Sequence, residues 1–183
     1  MRLRYFVFGL TVELPYYSCL GIEQKLALDT VELQKRFYEK SREWHPDRFA
    51  RAPTTAQQEA LEKTALLNDA FRTLRDPLAR AEYVLKAHGF DIGEQGTKNV
   101  PPELLEEVFE LNMALEDKSD RATLERFQQD FRGMLQAIDG ELGGLYAGWD
   151  SGGGIEKLRQ VRGVLNRRRY IQNLLKTVEQ ALV

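Results

Sequence analysis

The chain has 183 residues, 43% of them apolar, enough for one or two small domains with cores of their own. Charged residues make up 30% but leave a net charge of only −2, so no overall basic excess invites nucleic acid. A single cysteine, Cys19, excludes an internal disulfide and fits a reducing compartment, and with only His45 and His88 as histidines there is no ligand set for zinc or a cysteine-held iron–sulfur cluster.

Residues 1–15 open with Arg2 and Arg4 before a short apolar run, in the manner of a signal peptide. Glu13 interrupts the run, no small-residue cleavage site follows, and the run is too short to span a bilayer. It is therefore expected to be an extension of unknown role, with no membrane as partner.

A short helix is expected near Tyr16 to Leu20. Asp29-Thr30-Val31-Glu32 then has the arrangement of a capping box, and a helical pattern runs on to Trp44. Leu33, Phe37 and Trp44 lie toward one side of it, with Lys35, Arg36, Lys40 and Arg42 largely on the others. Pro46 stops the helix: it has no N–H and pushes His45 out of the α region, so His45 and Asp47 should stand on a rigid, exposed connection. Thr54-Thr55, with Gln58 three residues beyond Thr55, is expected to cap the next helix, in which Ala60, Leu67, Phe71, Leu74 and Leu78 mark a buried stripe. Phe37, Trp44, Phe49, Leu67 and Phe71 are the expected core. Trp44 and Phe49 should clamp the connection between them.

A further helix over residues 78–87 ends at His88-Gly89, where glycine suits a left-handed C-cap and the helix terminus accounts for His88 without chemistry. The polar stretch 91–99, with Gly93 and Gly96, reads as a linker, so the expected domains are 16–90 and 98–183.

Pro101-Pro102 opens a helix with two apolar stripes. Leu104, Val108, Leu111 and Leu115 suffice to face a bundle core; Leu105, Phe109 and Met113 form a second stripe among Glu103, Glu106, Glu107, Glu110, Glu116 and Asp117. An apolar strip rimmed by acids is then left over for a partner, unless the helix is central and buries both. Asp120 begins the next helix, with Leu124, Phe127, Phe131, Leu135, Ile138 and Leu142 on one face, expected to run down near Gly143-Gly144 before a loop at 148–154. The last helix, expected from Ile155 to Ala181, carries Lys157, Arg159, Arg162, Arg167, Arg168, Arg169 and Lys176 against Glu156 and Glu179. Its opposite charge makes the acidic helix its expected neighbour in an antiparallel three-helix bundle.

Two antiparallel amphipathic helices joined by an exposed His-Pro-Asp connection resemble a J-domain. Tyr16-Tyr17-Ser18-Cys19-Leu20-Gly21-Ile22 resembles the start of that fold, and Leu67-Asn68-Asp69-Ala70-Phe71-Arg72-Thr73-Leu74-Arg75-Asp76-Pro77 its exit. Among J-proteins the chain is similar to the HscB family, co-chaperones of iron–sulfur cluster assembly, through residues 75–85, His88-Gly89-Phe90-Asp91 and the helical C-terminal domain, over roughly 16–183. The implied fold is all-α, an N-terminal J-domain helical hairpin followed by a C-terminal three-helix bundle.

The resemblance implies that His45, Pro46 and Asp47 dock on an HscA/DnaK-type chaperone and stimulate its ATPase, with Lys35, Arg36, Lys40, Arg42 and Arg48 supplying a positive field beside the motif. No second histidine, phosphate loop or paired nucleophile converges on His45, so the expectation is a cytoplasmic docking protein rather than an enzyme, with no catalytic residue, metal or cofactor. The resemblance further implies that the C-terminal bundle holds an IscU-type scaffold, on Leu105, Phe109, Glu110, Met113 and Asp117 with Tyr170 from the last helix. Glu106 stands where the family tends to be apolar and Met113 where it tends to be acidic. The competing readings are a J-protein serving an unrelated client, and a small helical hydrolase using His45 and Asp47.

Overall fold

The computed structural model describes residues 12–90, 102–116 and 121–183, all of them helix, turn or coil with no strand among them. The helices are α1 Pro15–Leu20, α2 Thr30–Trp44, α3 Thr54–Arg75, α4 Pro77–Ala87, α5 Leu105–Glu116, α6 Arg121–Asp150 and α7 Gly154–Ala181, with 3₁₀ turns at Pro46–Phe49 and Pro102–Leu104. No described helix is long and apolar enough to cross a membrane. The described residues fall into two compact units, one comprising those up to Phe90 with Tyr146–Ile155, the other the remainder of α5, α6 and α7. The cut differs from a single break in the linker because the tip of the α6–α7 hairpin belongs with the first unit.

In the first unit α2 and α3 form an antiparallel hairpin. Phe37 stacks on Phe71 at 4.3 Å, and the Thr64 hydroxyl donates to the Trp44 carbonyl at 3.0 Å; both pairs have residue numbers summing to 108, which fixes one register. The α1 helix lies against α3 and α2, and the sealed centre is Leu14, Tyr17, Leu20, Leu26, Leu33, Ala60, Leu67, Ala70 and Leu74 with Ala81, Val84 and Leu85 of α4. Of the expected core residues only Leu67 is fully buried. Phe37, Trp44, Phe49 and Phe71 are half-buried, because α1 closes on the small and aliphatic positions and leaves one edge of each large ring wet.

Caps set the helix boundaries. The Asp29 carboxylate accepts from the amides of Val31 and Glu32, while Glu32 pairs with Arg36 instead of returning to the N-cap amide, so half of the expected capping box forms. Pro53, not threonine, precedes the first residue of α3, and that end has no side-chain cap. At the other end Pro77 holds Asp76 extended, which stops α3, and the Asp76 carboxylate accepts from Leu78 and Ala79 to start α4. Arg80, 4% exposed, reaches back from α4 to donate to the Leu74 carbonyl at 2.5 Å, satisfying one of the acceptors that the end of α3 leaves open. Gly89, with φ +79°, closes α4 as expected, and the Phe90 amide bonds back to Leu85.

The tip of the α6–α7 hairpin completes this unit. Both carboxylate oxygens of Asp150 accept backbone amides, from Leu26 at 2.7 Å and Ala27 at 2.8 Å. The Tyr146 hydroxyl donates to the Pro77 carbonyl at 3.3 Å, and buried Trp149 meets the His88 ring edge-on at 6.2 Å.

The second unit is the three-helix bundle of α5, α6 and α7. Leu104, Leu111, Ala114, Leu124, Phe127, Phe131, Leu135, Ile138, Leu142, Leu158, Val161, Val164, Leu165, Ile171, Leu175 and Val178 form its core. One expectation is corrected here. The α6 helix does not run down at Gly143-Gly144 but continues unbroken to Asp150, since Leu142, Tyr146 and Trp149 bury at helical spacing and outweigh the glycines' poor propensity. The basic run of α7 pairs along α6, Arg168 with Asp139 at 2.6 Å, Arg167 with Glu141, and Glu179 with Arg132 at 2.9 Å. Residue sums of 307 to 311 mark the antiparallel register of α6 and α7.

Candidate docking surfaces

The His45-Pro46-Asp47 corner is built by backbone restriction. Pro46 holds His45 at φ −59°, ψ 128°, and the chain tightens into a 3₁₀ turn in which the Arg48 amide bonds to the His45 carbonyl at 3.0 Å. Three side chains outside the motif pin it. Thr64 holds the Trp44 carbonyl, the Arg48 guanidinium donates to the Arg42 carbonyl at 3.1 Å, and Gln57 donates to the Ala52 carbonyl at 2.9 Å.

The His45 and Asp47 side chains stay in water, 53% and 90% exposed. The Asp47 amide donates to His45 Nδ1 at 3.3 Å, which leaves Nε2 to carry the proton when the ring is neutral. The Asp47 carboxylate lies 3.6 Å from Nδ1. Such a site presents one ring N–H and one carboxylate to solvent from a backbone turn that holds their Cα positions. It suits recognition of a complementary polar pair.

The five cations expected beside this corner are not equivalent. Arg36 pairs with Glu32 at 2.8 Å and Glu39 at 3.8 Å; Lys40 pairs with Glu43 at 2.8 Å and stands 5.2 Å over the Trp44 ring. The hydrogen bond from Lys40 holds the Glu43 carboxyl below its ordinary range. Lys35, Arg42 and Arg48 have no carboxylate partner among the described residues, so they carry most of the unscreened positive charge. The sequence did not single out Thr64 and Gln57; the available signal was a polar residue four places after Ala60 and three before Leu67, on an otherwise apolar face.

On α5 the two stripes separate. Leu104 and Leu111 are buried, Val108 and Leu115 half-buried, whereas Leu105, Phe109 and Met113 are 56%, 65% and 52% exposed. Glu106 and Glu110 are exposed beside them, and Glu110 lies 3.8 Å from Arg126 of α6. A groove of about 380 Å³ runs between α5 and α6, with Phe127, Phe131 and Met134 as floor and Glu107, Glu110, Arg126 and Asp130 on the rim. Tyr170 sits half-buried on α7, and burial pushes its phenol above the usual range; no described contact joins it to the α5 stripe. Asp117 lies outside the described residues. Contiguous exposed aromatic, aliphatic and thioether side chains on one helix face form an apolar contact surface. Covering it gains the half to two-thirds still exposed of the roughly 1.5–3 kcal/mol that full burial of such a side chain is worth.

Among the described residues no group of three or more histidine, cysteine, aspartate or glutamate side chains could hold a metal ion.

Comparison with known proteins matches the two units to two domain families in the same order along the chain. The model of the DnaJ domain matches residues 15–83, and that of the HSCB C-terminal oligomerisation domain matches residues 100–179. The chain is similar in structure to the human co-chaperone protein HscB, with TM-score 0.68 and 23% identity over 98% of this chain and 91% of that one. It is likewise similar to the chaperone HscB from Vibrio cholerae, with TM-score 0.62 and 28% identity over 90% of this chain and 95% of that one. A J-domain carrying an exposed His-Pro-Asp corner, joined to an HscB-type C-terminal helical domain, is the make-up of one group of proteins: the chain belongs to the HscB family of J-domain co-chaperones.

Proposed function

We propose that this protein docks on an HscA/DnaK-type chaperone through His45, Pro46 and Asp47, stimulates its ATP hydrolysis, and delivers to it an IscU-type iron–sulfur scaffold. The observation that carries the reading is a corner fixed by three outside side chains while its own two polar side chains face solvent. A surface ordered before contact loses little conformational entropy on binding. Lys35, Arg42 and Arg48 speed encounter with an acidic surface, and the corner makes the directional contact. Hydrolysis belongs to the chaperone. Docking raises its rate by binding the hydrolysis-competent conformation more tightly than the resting one.

The scaffold is held on Leu105, Phe109, Glu110 and Met113, and the family resemblance adds Asp117 and Tyr170 to the contact. The protein works in a reducing cytoplasm and performs no chemistry of its own. Substituting His45→Gln is expected to reduce chaperone stimulation by at least tenfold without changing the unfolding midpoint, read by steady-state phosphate release. Unchanged stimulation overturns the docking role.

A second reading, a different client on the same face, is favoured by Glu106 and Met113, which stand where the family resemblance implies an apolar and an acidic residue respectively. Retention of an IscU-type scaffold on the immobilised chain, lost in Phe109→Ala, decides between them. No retention by the unsubstituted chain favours the unrelated client.

A further inference from the structure

We propose that the groove between α5 and α6 accepts a lysine or arginine side chain of the scaffold protein held on the neighbouring α5 face; the inference rests on that client reading. The rim brings three carboxylates, Glu107, Glu110 and Asp130, against one guanidinium, Arg126, leaving a net charge of −2. Glu107 and Asp130 have no basic partner among the described residues. Half-buried Met134 and the rim of Phe127, 4% exposed, give the aliphatic stem of a long cationic side chain an apolar surface to lie on, with Phe131 sealed beneath.

The groove already shows how it receives such a group. The Arg126 guanidinium lies 5.3 Å from the centre of the Phe127 ring and 3.8 Å from the Glu110 carboxylate, the posture an incoming cation would take. Both members of that pair are more than half exposed, at 63% and 53%, and the contact is at the outer limit of an ion pair, so it is readily exchanged. Arg126 is thus the resident competitor of the scaffold's cation.

Position along the helix links groove and face. Glu110 follows Phe109 directly and precedes Met113 by three residues, so it borders the exposed stripe on one side and the groove on the other. A partner covering Phe109 has to cross Glu110 to reach Asp130. The net negative rim opposes an acidic or phosphorylated segment and favours a basic one.

Titration of the full chain with an IscU-type scaffold, at low and at high salt, tests the idea. The Glu107→Gln/Asp130→Asn double variant is expected to bind about five- to tenfold more weakly at low salt and to lose much of the salt dependence, with an unchanged melting temperature. Arg126→Ala is expected to bind more tightly than the unsubstituted chain, a direction that a merely structural role for Arg126 does not give. Wild-type affinity in the double variant, or weaker binding in Arg126→Ala, overturns the groove. If instead the unsubstituted chain holds no scaffold, or Phe109→Ala binds as well as it does, the client reading itself fails. Loss of binding in Phe109→Ala with an unaffected double variant removes the groove alone.

Discussion

At the scale of single residues, the side chains that hold the first unit together are polar groups made tolerable by one well-placed partner each. Arg80 donates to the Leu74 carbonyl, and burial holds its guanidinium below its ordinary range, while nearby Tyr17, Tyr146, Asp150 and Asp76 push the other way. Truncation by Arg80→Ala opens a cavity and strips the end of α3 of a buried donor. The expected loss is about 2–4 kcal/mol, read from urea unfolding. Tyr17 is fully buried and donates to the Lys25 carbonyl at 2.7 Å; burial pushes its phenol, and the thiol of Cys19, above their ordinary values of 10.0 and 9.0. Above pH 9 the unfolded chain therefore sheds protons that the folded chain keeps, and stability falls as pH rises. Unfolding midpoints measured from pH 8 to 10.5 should decline, and Cys19→Ala should remove the earlier part of the decline. None of this was legible in the sequence, where Arg80 entered only within the run of residues 75–85 and the aromatic rings were expected to fill the core. Periodicity identifies the inward face of a helix, but which residue on that face is sealed depends on where α1 crosses.

At the scale of elements, the His-Pro-Asp corner and both ends of α2 were legible because they depend on short-range chemistry: a capping aspartate, a proline without an N–H, and a restricted residue before it. The α6 helix was misread for the complementary reason. Local propensity argued for a break at Gly143-Gly144, and only the burial of Leu142, Tyr146 and Trp149 shows why the helix continues. Those two glycines, with Gly140, have helical backbone and open space where a Cβ would stand. Gly143→Ala and Gly144→Ala should therefore each stabilise by about 0.5–1 kcal/mol, visible as a higher melting temperature; a lower one would mean that the helix needs flexibility there. On α5 the difference between a 4-3-4 spacing from Leu104 and a 4-4 spacing from Leu105 was enough to separate the inward stripe from an exposed one. Charge count was a poorer guide, since Arg36 and Lys40 spend theirs on neighbouring glutamates.

For the whole molecule, the two candidate surfaces lie in separate units, the corner on the first and the α5 face on the second. His45→Gln should abolish chaperone stimulation and leave scaffold retention unchanged, whereas Phe109→Ala should do the reverse. Assaying both activities on both variants checks this, and a crossed loss would show that the two sites act as one. The order of the two domains was legible in the sequence, since the polar, glycine-bearing stretch at 91–99 separates two sets of helical patterns. What sequence could not supply was the place of residues 146–155 in the first unit, because a contact between positions 123 and 124 residues apart has no local signature.

That long-range contact has a bearing on synthesis. Leu26 and Ala27 leave the ribosome well before Asp150, the acceptor for both amides, and the segment up to Phe90 is complete about 60 residues earlier than the aspartate that finishes it. At roughly 5–20 residues per second the nascent first domain waits on the order of 3–12 s for its last strut. Translation speed through α5 and α6 therefore sets how long an unfinished J-domain is exposed to the cell.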